Sequence, residues 1–227
     1  MKSIRLLLFA FALIVTIGAC QNRSSNSADS DSTMTDKSSM SMSNMDSTKN
    51  NKMMSATTGM MDAMHQMTIT GNVDVDFAMM MKGHHQDAVD MAEIELKTGE
   101  DATLKQMAQN IIDAQKAEIK ELDALVDFRK NPVKNYDPTK KGEGFAKVME
   151  ESMKGMMDMP KMDEHMSSST DHQFVSMMIM HHESAVNMAK GYLQSGKDAK
   201  MIIMAKKMIT DQTQEIEEFK TWKENHQ

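Results

Sequence analysis

Two stretches of the chain hold residue types able to do metal chemistry. They read FAMMMKGHHQDAVDMA from Phe77 and FVSMMIMHHESAVNMA from Phe174. Each places a Met three residues before a tandem His pair and a second Met seven residues after the first His. On an α-helix turning about 100° per residue, Met81, His84, His85, Ala88 and Ala92 fall within about 60° of one line, with Met91 beside it. Met178, His181, His182, Ala185 and Met188 repeat the arrangement. A face that also carries Phe77 or Phe174 and small alanines points into a core, where an imidazole needs partners for its ring nitrogens. A metal ion would supply them. Imidazole alone suits several transition metals, but thioether with imidazole favours copper, above all Cu(I), and its toxic mimic Ag(I). Zinc sites are normally built from Cys, His and carboxylate. The candidate ligands are therefore Met81, His84, His85, Met178, His181 and His182, together with Met91 and Met188, for which plain core packing is the alternative.

These faces must be held by helices, and the sequence duplicates the helices as well. The offset that aligns Phe77 with Phe174 also pairs Gly99 with Gly196, Asp101 with Asp198, Gln115 with Gln212, Glu118 with Glu215 and Ile119 with Ile216, without a gap. An internal repeat of this kind dictates the architecture. In each copy a helix runs to a Gly, after which an Asp can cap a second helix. The spacing predicts helices at about 74–98, 101–130, 171–195 and 198–225. The short connection within each copy makes its two helices antiparallel neighbours, so two hairpins form an all-α four-helix bundle. Between the copies, Phe145, Met149, Met153 and Met156 recur at helical spacing and predict a short amphipathic crossover helix over about 143–158. Gln115, Glu118, Gln212 and Glu215 face the problem of orienting the His helices, either as hydrogen-bond partners of the imidazoles or as interhelical polar packing. A di-iron centre would need inward carboxylates and Glu-x-x-His motifs, which do not occur at the repeat positions.

Composition narrows the function classes. Methionine accounts for 30 of 227 residues, aromatic residues for only 4%, and the formal charge is −7. The charge is near −9 once Lys2 and Arg5 are removed with a leader, which argues against nucleic-acid binding. That leader is read from residues 1–19: Lys2 and Arg5, an apolar run from Leu6 to Ile17, then small residues before Cys20, too short a run for a comfortable membrane span. The sequence Ile-Gly-Ala-Cys resembles the lipobox of bacterial lipoproteins, which makes Cys20 the expected lipidation site and the protein an exported one anchored to an envelope membrane. Cys20 is also the sole Cys, which excludes an internal disulfide and a Cys-rich zinc or redox centre. From Cys20 to about residue 71 the chain is rich in Ser, Asn, Asp, Thr and Met and has almost no branched aliphatics, so a disordered tether is expected. Its methionines, among them Met40, Met42, Met45, Met53 and Met54, resemble the Met-rich segments of periplasmic copper-handling proteins; a biased linker is the alternative.

The two His-bearing stretches resemble the domain-of-unknown-function 305 family. The pattern Phe-x-x-x-Met-x-x-His-His-x-x-Ala-x-x-Met-Ala is met by Phe77, Met81, His84, His85, Ala88, Met91 and Ala92, and by Phe174, Met178, His181, His182, Ala185, Met188 and Ala189. The second-helix pattern Gln-x-x-Glu-Ile is met by Gln115, Glu118 and Ile119 and by Gln212, Glu215 and Ile216. The resemblance covers about residues 72–226 and implies a ferritin-like fold in an exported bacterial protein, with copper binding and copper resistance among the roles of some members. Lys82-Gly83 before the first His pair departs from the family's pattern and places a Gly inside a helix, at a cost of about 1 kcal/mol, which bears on the rigidity of the first site.

The expected function is thus a cell-envelope copper-binding lipoprotein that sequesters or hands on copper. A helical module that grips partner proteins through Met-rich surfaces is the rival from another class. A Cu(I) oxidase ranks below both, because no nucleophile or acid–base pair is recognisable.

Overall fold

The computed structural model describes Met53, residues 67–158 and residues 169–226. The leader, Cys20 and most of the expected tether lie outside the described residues.

The first hairpin consists of α1 (Val73–Thr98) and α2 (Ala102–Phe128), and the second of α4 (Thr170–Tyr192) and α5 (Ala199–Asn225), with α3 (Gly144–Asp158) between them. Among the described residues there is no strand, and the architecture is the all-α, ferritin-like four-helix bundle that the duplication predicts. The caps follow the repeat. Asp101 accepts the amide of Leu104 and Asp198 that of Met201, each 2.9 Å away, so the same residue opens the second helix of both copies. Asn72 opens α1 by accepting the amides of Asp74 and Val75. Helix α4 stops at Tyr192, three residues before the expected end, and Leu193–Ser195 form a turn instead. The chain also joins the fold before Asn72. The amides of Thr70 and Gly71 donate to the carboxylate of Asp76, and the Gly71 carbonyl accepts from the amides of Asn135 and Tyr136.

The two hairpins meet through α1 and α4, which run antiparallel. At one end the buried Asp74, near the start of α1, receives the amides of Lys197 and Asp198 and the hydroxyl of Tyr192 from the far end of the second hairpin. At the other, Asp171, near the start of α4, receives the amides of Glu100 and Asp101. These amides belong to turns where no helix hydrogen bond is available, so each aspartate satisfies donors that burial would otherwise orphan. The glycines of the two turns make room for this closure. A Cβ at Gly196 would collide with the Tyr192 ring, and one at Gly99 with the Glu95 carboxyl, which occupies the equivalent place.

The interior divides into two apolar clusters. One holds the first half of α1 and the second half of α4, including Phe77, Met81, Ala185, Met188 and Tyr192. The other holds the second half of α1 and the first half of α4, including Ala88, Met91, Ala92, Phe174 and Met178. Phe77 stacks on Tyr192 with ring centroids 4.2 Å apart, which locks the first cluster to the Asp74 end. Helix α3 lies over the first cluster, burying Phe145 and Met149, and its Val148 sits against Gly191 so closely that a side chain there would clash.

Candidate metal centre

His84, His85, His181 and His182 occupy the level between the two clusters, at the centre of the α1–α4 contact. All four are essentially inaccessible to water. The rings of His84 and His181, one from each copy, face each other with centroids 3.7 Å apart and planes inclined by 42°. Neither nitrogen of either ring has a hydrogen-bond partner, and the Nδ1 atoms of His85 and His182 have none either. With His182 Nε2, seven imidazole nitrogens thus sit in the interior without hydrogen-bond partners, where each unmade bond costs about 1–3 kcal/mol. Burial, followed by the neighbouring imidazoles, holds His84 and His181 well below the ordinary histidine range, so both rings are neutral at pH 7. Neutral imidazole is the metal-binding form.

The outer ring of each pair is held from behind. His85 Nε2 lies 2.8 Å from Glu118 Oε2, and His182 Nε2 lies 2.7 Å from Glu215 Oε2. The first contact has hydrogen-bond geometry; the second is an approach of the same two groups without that alignment. The first fixes its ring so that Nδ1 is the nitrogen left for another partner. This is the orienting role that the Gln-x-x-Glu pattern of the second helices suggested for the glutamates. Gln115 and Gln212 do not share it: their side-chain carbonyl oxygens are buried and accept nothing.

The methionines are distributed across the pseudo-twofold axis rather than by copy. Met81 is grouped with Met188 on one side of the histidine level, and Met178 with Met91 on the other. All four are fully buried. Each copy's first Met therefore keeps company with the other copy's second Met, one such pair in each cluster flanking the four histidines. Met53, from the expected tether, is helical and buried in the cluster of Met91 and Met178.

Sequence reasoning missed Asp87. It follows His84 by three residues on the same helix face, and the second copy has Ser184 in its place. Its carboxylate is buried without a hydrogen-bond donor, 3.7 Å from His181 Nε2, too far for a hydrogen bond. Burial, then the nearby Asp90, pushes it up to about 7. The signal was present as the only acid-for-hydroxyl exchange on the ligand face of the repeat. Among the described residues, no three His, Cys, Asp or Glu side chains form a group able to hold a metal by themselves. An ion at this level would need the thioethers as well.

A family model, described as a domain of unknown function (DUF305), matches residues 74–223, which span both His pairs and both second helices. The chain belongs to the DUF305 family. It is similar to solved structures of CopM in an Ag-bound form and in a Cu(I)-bound form, at 30% and 29% identity and a TM-score of 0.50 in both cases. The matches cover 67% of this chain and 95% and 96% of those chains. A DUF305 protein from Streptomyces coelicolor is 22% identical with a TM-score of 0.49, over 66% of this chain and 91% of that one. No protein of curated function matches the sequence.

Proposed function

We propose that this DUF305 protein binds copper, Cu(I) by preference with Ag(I) as its mimic, at the histidine level of the bundle, and that it sequesters or hands on copper in the bacterial envelope. The observation that carries the reading is the facing pair His84 and His181, whose four ring nitrogens are neutral, buried and without hydrogen-bond partners. Neutral imidazoles with thioethers on both sides form a soft donor set, and softness rather than charge is what selects Cu(I) over zinc or iron. Met81, His84, His85, Met178, His181 and His182 are the proposed ligands, with Met91 and Met188 able to complete the set from either side. The CopM structures with Ag, Cu(I) and Cu(II) bound give the reading independent support, at about the identity where family and fold are secure.

The leader and the Ile-Gly-Ala-Cys sequence support export and lipid attachment at Cys20, which would place the bundle at an envelope membrane. The burial of Met53 supports a role for the Met-rich tether in feeding the interior, since a thioether of that segment already reaches the cluster of Met91 and Met178.

X-ray absorption of the Cu(I)-loaded full chain tests the proposal. The expected spectrum shows imidazole nitrogen and thioether sulfur on the same copper. A first shell of sulfur alone would put the copper in the Met-rich tether and remove the histidines from the site.

A further inference from the structure

The soft donor set leaves Asp87 without a role. Its side chain is 0% exposed, and neither carboxylate oxygen has a hydrogen-bond partner. A buried carboxylate without donors is costly, and the repeat shows that the helix does not require one here, because Ser184 holds the equivalent position. Beside it stands a second group without a partner, His181 Nε2, 3.7 Å from Oδ2. That separation is too long for a hydrogen bond. It suits two donors of one metal ion, since a nitrogen and a carboxylate oxygen each about 2.0–2.2 Å from a first-row ion stand about 3.3–4 Å apart at open coordination angles. Asp87 comes from the first hairpin and His181 from the second, so the spacing joins the two copies at the histidine level.

We propose that Asp87 is an oxygen ligand of the interior copper site and admits Cu(II) there as well as Cu(I). The proposal rests on the copper reading of the histidine level given above. Thioether with imidazole suits Cu(I), whereas carboxylate with imidazole is a harder set that Cu(II) accepts. A carboxylate ligand also offsets charge, and a divalent ion among neutral imidazoles and thioethers has more need of that than Cu(I) has. The repeat supplies this ligand once. The counterpart of Asp87 beside His181 is Ser184 in the copy that faces His84, a hydroxyl in place of the carboxylate.

The test is a Cu(II) titration of the full chain followed by electron paramagnetic resonance, with Ag(I) affinity measured on the same variants. Asp87→Ser, which installs the residue of the second copy, should weaken Cu(II) binding about tenfold or more and change its spectrum, the scale of losing a group that supports a metal. Ag(I) affinity should stay close to wild type. Asp87→Asn keeps the shape and should shift Cu(II) in the same direction, so it decides if the Ser variant does not fold. Without metal, Asp87→Ser should unfold in urea no earlier than wild type, because it removes a carboxylate that has no partner. A lower urea midpoint with an unchanged Cu(II) spectrum would make Asp87 a structural group and overturn the proposal. Equal losses of Cu(II) and Ag(I), or wild-type Cu(II) affinity in both Asp87 variants, would overturn it too. His181→Ala keeps the two readings apart: it should weaken Ag(I) as well as Cu(II), and unchanged Ag(I) affinity there would fail the copper reading of the whole level.

Discussion

At the end of the bundle where α1 begins, Asp74 is closed on by a phenol and a guanidinium: Tyr192 donates at 2.7 Å and Arg129 at 2.9 Å, and Arg129 also reaches Asp198 at 2.7 Å. At the end where α4 begins, the repeat puts Glu95 in the place of Tyr192 and His226 in the place of Arg129. Glu95 lies against Asp171, and His226 Nε2 comes no closer than 3.9 Å to Asp101. Burial pushes the Asp74 carboxyl up, but the amides of Lys197 and Asp198, the phenol and the guanidinium outweigh it and the net direction is down. Asp171 is likewise held below the usual range, its burial outweighed by the Asp101 amide, the Glu95 carboxyl and the Glu100 amide. Glu95 moves the other way. Burial, then its hydrogen bond to Asp171, raises it to about 8, so it carries a proton at pH 7 and donates it as Tyr192 does. One end is closed by a donor that keeps its proton at any physiological pH, the other by a donor that can lose it. Duplicated sequence thus preserves the geometry of closure while changing its dependence on pH.

Removing the central carboxylates breaks the comparison most severely. Asp74→Ala leaves two turn amides, a buried phenol and Arg129 without their acceptor, and should cost about 3–5 kcal/mol in urea unfolding. Asp171→Ala removes fewer partners, two turn amides and the Glu95 carboxyl with no guanidinium, so it should cost about 2–3 kcal/mol. Equal losses at the two sites would show that the extra donors at the Asp74 end contribute nothing.

The pH dependence sharpens the contrast. Folded protein holds the Glu95 proton up to about pH 8, whereas the unfolded chain releases it near the ordinary value of 4.5. In that window the native state binds more protons, so Glu95's contribution to stability is complete below about 4.5 and declines as pH rises through about 8. Glu95→Gln keeps an N–H donor for Asp171 but cannot titrate, and should flatten this part of the stability curve measured by thermal unfolding across pH 5–9. Tyr192→Phe should lower stability by about 1–2 kcal/mol at every pH and leave the slope untouched. A wild-type slope in the Gln variant would place the proton elsewhere.

The smallest expected effect concerns another asymmetry between the copies. Gly83 sits inside α1 where a Cβ would meet nothing, while the second copy has Met180 at that position. Gly83→Ala should stabilise the protein by about 0.5–1 kcal/mol, seen as a higher urea midpoint with unchanged copper stoichiometry.

Much of this architecture was legible in the sequence because a repeat constrains itself twice. The constant offset located four helices, the Asp101 and Asp198 caps, and the common face of each Met-x-x-His-His cluster. What periodicity does not carry is the register between hairpins. Nothing in either copy alone says that His84 meets His181, or that Met81 is grouped with Met188 rather than with Met91. That register is set at the two ends, by Asp74 and Asp171 reaching amides on the opposite hairpin. Glu95 carried no signal in the sequence, because its protonation depends on burial against Asp171, a residue far away in the chain. Asp87 was visible as a departure from Ser184, but its burial beside His181 was not. The contact of Met53 with the core was hidden by its polar neighbours, which read as tether.

The central claim is that both copies contribute imidazoles to one copper-binding level, and anaerobic Cu(I) titration of the full chain against a competing chelator tests it most directly, using His84→Ala, His181→Ala and the double variant. A shared level predicts that either single change weakens interior binding about as much as both together, a strongly non-additive cycle. Additive losses, one ion for each histidine removed, or no change in any variant, would contradict it.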